Sequence, residues 1–207
     1  MAISALLSGR NIAAMGLSFG LMAAPLASPA QELSGQEAAA QAAQNFRVMV
    51  MNPDSCITPA QQEIVDGLYA EAQNGEIAAT LAESFQTSWG RICFADLDDY
   101  PQHVGKDATY DFNLHAVVLD DDLDPACYFP RAVQEWHHAH QARNRYFSMD
   151  PFYPSEQVLY LKDIEADAHT IELLASYEVD IANGADIAGG EGYLACARDN
   201  AFVADAL

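Results

Sequence analysis

Gln134-Glu135-Trp136-His137-His138-Ala139-His140-Gln141 and, past a proline-marked loop, Glu165-Ala166-Asp167-Ala168-His169 are the two stretches that decide how this chain reads. Asp124-Pro125 is a start signal ahead of the first, and Met149-Asp150-Pro151 with Pro154 interrupts the chain after it, so a helix is expected over residues 124–147. With ~100° of rotation per residue, Phe129, Ala132, Val133, Trp136, His140 and Phe147 gather on one side of that helix. Gln134, Glu135, His138, Ala142 and Arg145 fall on the other. Trp136 and Phe129 therefore read as core and His140 as a packed, hydrogen-bonded core histidine. Glu135 and His138, at i and i+3, turn away from the apolar side.

A second long helix is expected from a Ser155 cap to about residue 179 or 181, before Asn183-Gly184. On it Glu165, His169, Glu172 and Ser176 form one stripe, beside an apolar stripe of Ile164, Ala168, Ile171 and Ala175. Two helices facing through these stripes bring Glu135, His138, Glu165 and His169 together. Imidazole and carboxylate are ligands that zinc accepts alongside water. The plainer reading of Glu165, Asp167 and Glu172 is a solvated face in an acidic chain.

Upstream the period changes. Ser34-Gly35-Gln36-Glu37 has the form of a capping box before a helix over residues 38–51, and Asn52-Pro53 stops it. Thr58, Pro59 and Gln61 start another helix that runs to Asn74-Gly75, and a short one is expected over residues 76–85. Residues 91–95 and 113–119 are short β-rich runs, read as strands of a small sheet. A last short helix holds Cys196 after the hinge or turn Gly189-Gly190-Glu191-Gly192. The order is helices, a small sheet, then two long helices, which makes the fold class α+β and mostly helical.

Residues 134–138 together with Glu165 resemble a gluzincin metallopeptidase. The fuller pattern Q-E-W-H-H-A-H-Q followed by E-A-D-A is similar to a bacterial domain-of-unknown-function family described as metallopeptidases, over about residues 110–181. The resemblance implies a minimal zincin-like scaffold. In it Glu135 is the catalytic general base that takes a proton from a zinc-bound water, and His138 and Glu165 are metal ligands. Strand 113–119 resembles the edge strand that in zincins lines the cleft and can pair with an extended peptide substrate.

Gln134 departs from the pattern, since the family carries histidine there. A catalytic zinc uses three protein ligands plus a water, and a neutral amide oxygen is a poor donor beside imidazole. His169, one turn beyond Glu165, is the candidate replacement metal ligand. Three readings follow: a zinc peptidase acting on peptide or protein substrates, an inactive zincin-like binding protein, and a helical di-metal carboxylate protein. The last needs two Glu-x-x-His pairs and further glutamates from two other helices.

The rest of the chain bounds these readings. Residues 1–30 hold no acidic residue and carry Arg10 before an apolar run that ends in Ser28-Pro29-Ala30. They read as a signal peptide, and Gly16, Gly20 and Pro25 break the run short of the ~20 residues that span a bilayer. Residues 31–207 are then a single exported domain, periplasmic or secreted, with no membrane span after cleavage. Its eight basic against thirty acidic residues give a charge of −22, which repels nucleic acid and anionic lipid. Cys56, Cys93, Cys127 and Cys196 favour two disulfides with three possible pairings, and their wide spacing argues against a zinc knuckle. Residues 31–207 contain neither a Gly-x-Ser-x-Gly elbow nor a phosphate-cradling glycine loop after a strand.

Overall fold

Ile92-Cys93-Phe94-Ala95 and Ala116-Val117-Val118-Leu119 are apolar without alternation, which suits strands covered on both faces. The computed structural model, which describes residues 29–144, 154–186 and 192–198, makes them the parallel pair at the heart of a three-stranded sheet. Strands β1 (Arg91–Ala95), β2 (Ala108–Asp111) and β3 (Ala116–Asp120) lie in the order β1-β3-β2, with β2 antiparallel to β3. On one face Ile92, Phe94, Val117 and Leu119 join the main core. On the other, Cys93, Ala95, Ala116 and Val118 pack against Phe46, Val50 and Cys56. Period-two alternation thus sorts each strand between two cores.

The sheet corrects one expectation. Residues 113–115 do not belong to a strand: the Asp111 carboxylate accepts hydrogen bonds from the Asn113 and Leu114 amides (2.8 and 3.0 Å), and His115 turns left-handed at φ 51°. That side-chain turn lets β2 fold back on β3. The third strand falls on a four-residue segment too short to show a pattern. As a result the strand expected at the edge is central, and β2 and β1 are the two edges.

Helix α1 (Pro29–Met51) begins before the expected box and continues through Ser34-Gly35. Pro29 suits a first helical position, and one glycine in an Ala- and Gln-rich run costs only ~1 kcal/mol. Helix α2 (Pro53–Cys56) is capped by Asn52. Helix α3 (Pro59–Ala72) has the capping box read from Thr58 and Gln61. Helix α4 (Glu76–Thr87) runs two residues past expectation and closes through Gly90 N–H to Phe85 O and Trp89 N–H to Gln86 O, both 3.0 Å. Trp89 takes the left-handed position there at φ 65°, where glycine is the cheap choice.

Asp124 caps a short 3₁₀ turn (Pro125–Cys127), and helix α5 (Tyr128–Arg143) follows. It ends before residue 147 because Asn144 leaves helical geometry and returns its amide and side chain to His140 O at 3.1 and 2.9 Å. Phe147, the loop at 149–153, the leader to residue 28 and residues 189–191 lie outside the described residues. Helix α6 is Pro154–Asn183, so Ser155 lies within it, and α7 is Tyr193–Arg198. The buried Asp180 carboxylate caps α7 through the Tyr193 and Leu194 amides at 2.9 and 2.7 Å. Gly192, at φ +83°, sits where any Cβ would strike Asp180.

Of the three pairings left open, the disulfides are Cys56–Cys93, which ties α2 to β1, and Cys127–Cys196, which ties the start of α5 to α7. They close 37 and 69 residues, and loops of that size make a disulfide worth ~4 kcal/mol against the unfolded chain. Helix α5 is the axis of the main core, touching α3, α4, α6, α7 and the sheet. Trp136 and Phe129 are fully buried, but so is the opposite face of the helix. His140 is only half-buried and bonds to Asn144 (3.0 Å), so it is not the core histidine expected. The chain divides into units at Met1–Gln36 and Glu37–Leu207, and residues 29–36 of the first are helical. No helix among the described residues is long and apolar enough to cross a membrane.

Candidate functional site

Five polar side chains, Arg131, Gln134, Glu135, His138 and Gln141, recur along one side of α5, and all five are buried. Burying so many polar groups is tolerable only where they find partners or line a cavity. Both hold here. A cavity of about 640 Å³ opens between this side of α5, Glu165 and His169 of α6, and the strand β2 with the loop before it. Glu135, His138, Glu165 and His169 all reach it, as expected from the two stripes, and Gln134 lines it too.

His138 is the best-oriented of these groups. The Gln141 amide nitrogen donates to the Ile164 carbonyl (3.2 Å) and the Asp167 carboxylate (3.0 Å), which turns its oxygen to His138 Nδ1 at 2.9 Å. Nδ1 must then carry a proton, and Nε2 is left facing Glu165 Oε2 at 3.4 Å. Burial alone would lower the pKa of this histidine. The hydrogen bond to Glu165, the Glu135 and Glu165 charges and the Gln141 contact outweigh it and push the value up to about 9. The same hydrogen bond holds the Glu165 carboxyl below its ordinary range. Glu135 behaves oppositely: burial, reinforced by the Glu165 and Glu172 charges against His138 and Lys106, pushes its pKa up.

His169 occupies a different position. Its Nδ1 lies 3.1 Å from Glu172 Oε2, and the other Glu172 oxygen meets Arg131 at 2.5 Å. Arg131 continues to Asp107 at 2.9 Å, so His169, Glu172, Arg131 and Asp107 form one chain of polar contacts at the cavity wall. Glu172 is fully buried, not part of a solvated face, whereas Glu165 and Asp167 are about half exposed. Asp167 is held by His137 at 2.7 Å, and that bond keeps its pKa low.

Arg131 escaped the sequence reading although its signal was there: residues 131, 135 and 138 stand at i, i+4 and i+7. Lys106, Asp107, Thr109 and Tyr110 left none, because a loop and a short strand bring them to the cavity. Strand β2 takes the cleft-lining place expected of residues 113–119.

No family model, curated protein or solved structure matches this chain. Whether the donors suit zinc is therefore a question for the geometry alone. With bonds of about 2.0–2.1 Å at a tetrahedral angle, two ligand atoms on one zinc stand about 3.3 Å apart. His138 Nε2 and Glu165 Oε2, at 3.4 Å, match that spacing. The match stops at two. Among the described residues no group of three His, Cys, Asp or Glu side chains could hold a metal ion, and the neighbouring wall position is the amide of Gln134. A catalytic zinc takes three protein ligands, of which two stand at that spacing among the described residues.

Proposed function

We propose that this chain is an exported, zincin-like protein that binds an extended polypeptide in the cavity between β2, α5 and α6 and does not hydrolyse it. The observation that carries the reading is the incomplete donor set: His138 and Glu165 converge, while the wall beside Glu135 is completed by Gln134. Peptide as the ligand class is supported by β2. It is an edge strand, paired only with β3 among the described residues, and an open edge is a ready acceptor for an added strand. Export is supported by the two disulfides and by the composition of residues 1–30.

A working zinc peptidase is the second reading, favoured by the tetrahedral spacing of His138 and Glu165 and by the raised pKa of Glu135, which suits a general base. The di-metal alternative calls for donors from four helices, whereas the carboxylate and histidine groups at this cavity come from α5, α6 and the loop at Asp107.

The test is elemental analysis of the exported protein after dialysis against zinc, beside Gln134→His and His138→Ala, with a peptide-cleavage assay on each. The binding reading expects less than stoichiometric zinc and no cleavage in the unaltered protein, and zinc near one per chain in Gln134→His, where the introduced imidazole completes the set. Zinc near one per chain in the unaltered protein, lost in His138→Ala and accompanied by cleavage that Glu135→Gln abolishes, replaces it with the peptidase.

A further inference from the structure

We propose that a second cavity at the end of the same groove takes the C-terminal residue of the bound peptide, a large apolar residue whose free carboxylate meets Arg143. The inference rests on the peptide-binding reading and adds its specificity.

The second cavity, about 440 Å³, shares Tyr110 and Phe112 with the first, so the two are neighbours along the strip between β2 and α5. From Arg131 to Arg143 the helix wall is ~18 Å long at 1.5 Å per residue, which matches about five residues of extended chain at ~3.3 Å each. Ala139 and Ala142 line the second cavity, and their small side chains leave room for a large one. Phe112, two-thirds exposed, and Tyr110 supply aromatic walls.

The polar part of this wall is largely self-satisfied. His115 spends both ring nitrogens, on the Tyr110 hydroxyl at 2.7 Å and on Ser88 Oγ at 2.8 Å. Arg143 is the one charged side chain lining the cavity and makes no ion pair with a described residue, in a chain where thirty acidic residues face nine basic ones. It is also the last residue of α5, at the end of the described part of this wall.

Backbone strain marks the same place. Trp89 and His115 are the non-glycine residues with positive φ among those described; His115 lines the cavity, and Trp89 follows the lining residue Ser88. Trp89 is 88 % exposed, and its left-handed backbone closes helix α4. An exposed tryptophan next to a lining residue offers a ligand an apolar surface to cover.

The experiment is a calorimetric titration of the full exported protein with five-residue peptides: one ending in phenylalanine as free acid, its C-terminal amide, an amide carrying an internal glutamate, and a free acid ending in alanine. The free acid is expected to bind about tenfold or more tightly than its amide, the scale of a charge-assisted hydrogen bond. Arg143→Gln should erase that difference. Ala142→Phe should weaken the phenylalanine peptide while leaving the alanine peptide bound, which also shows that the variant is folded. If peptides bind but acid and amide are equal, or Arg143→Gln changes nothing, the terminal subsite is wrong and the peptide-binding reading stands. Equal binding of the internal-glutamate amide and the free acid assigns Arg143 to side-chain carboxylates and overturns the terminus. Binding of none of the four overturns both.

Discussion

The two faces of α5 are equally buried by different means. On one, Phe129, Ala132, Val133 and Trp136 are covered by apolar neighbours, with Trp136 stacked on Tyr69 at 5.4 Å. On the other, Arg131, His138 and Gln141 are covered by partners: Glu172 and Asp107, Glu165, and Asp167. The first face is held by area and shape. The second depends on completeness, because each buried polar group is costly as soon as its partner leaves. A helix that serves both as core axis and as cavity wall must use both kinds of burial.

The largest effect should come from the apolar face. Trp136→Ala is expected to cost ~4 kcal/mol, as for other large-to-small aromatic changes in cores, measured by urea denaturation. On the polar face Glu172→Leu should cost ~3 kcal/mol, because it leaves Arg131 buried against a single, half-exposed Asp107. Adding Arg131→Met should recover most of that loss. A double variant no better than the single one would mean that the polar face is held by area as well.

Glu135 sharpens the contrast, since it is buried, has no hydrogen bond to a described residue and has its carboxyl pKa pushed up by burial. Glu135→Gln should raise stability by ~1 kcal/mol near neutral pH, as expected of a group kept at a site's expense. A loss instead would show that the carboxylate is paired in solution.

The smallest effect concerns pH at the groove's far end. Burial first, and then the Arg143 charge, lower the pKa of His115 below its ordinary 6.5. Above 6.5 this histidine is neutral in folded and unfolded chains alike and contributes no pH dependence. As the pH falls through that value the unfolded chain takes up a proton that the folded one resists, so stability declines toward acid. His115→Asn should flatten the decline, read from denaturation midpoints at about pH 5 and about pH 8.

The α3 capping box, β1 and the two stripes that meet at the cavity were legible because each depends on spacing within one element. Edge position was not legible: residues 113–119 carry the stronger β pattern, yet the Asp111 turn makes β3 central and gives the weakly patterned residues 108–111 an edge. His140 was misread because a wheel assigns faces without showing where the helix ends, and Asn144 ends it one turn on. Arg131 was missed because a charged residue among apolar ones reads as exposed until a buried carboxylate is placed beside it.

By itself the sequence determined the α+β class, the core place of Trp136 and the face on which Glu135, His138, Glu165 and His169 line one cavity, all consequences of helical and strand periods. Only the tertiary structure decided the disulfide pairing, which strand borders the cavity, and that His169 turns to Glu172 while His138 turns to Glu165. Those outcomes depend on which groups far apart in the chain lie within about 3 Å of each other, and local periodicity carries no information about that distance.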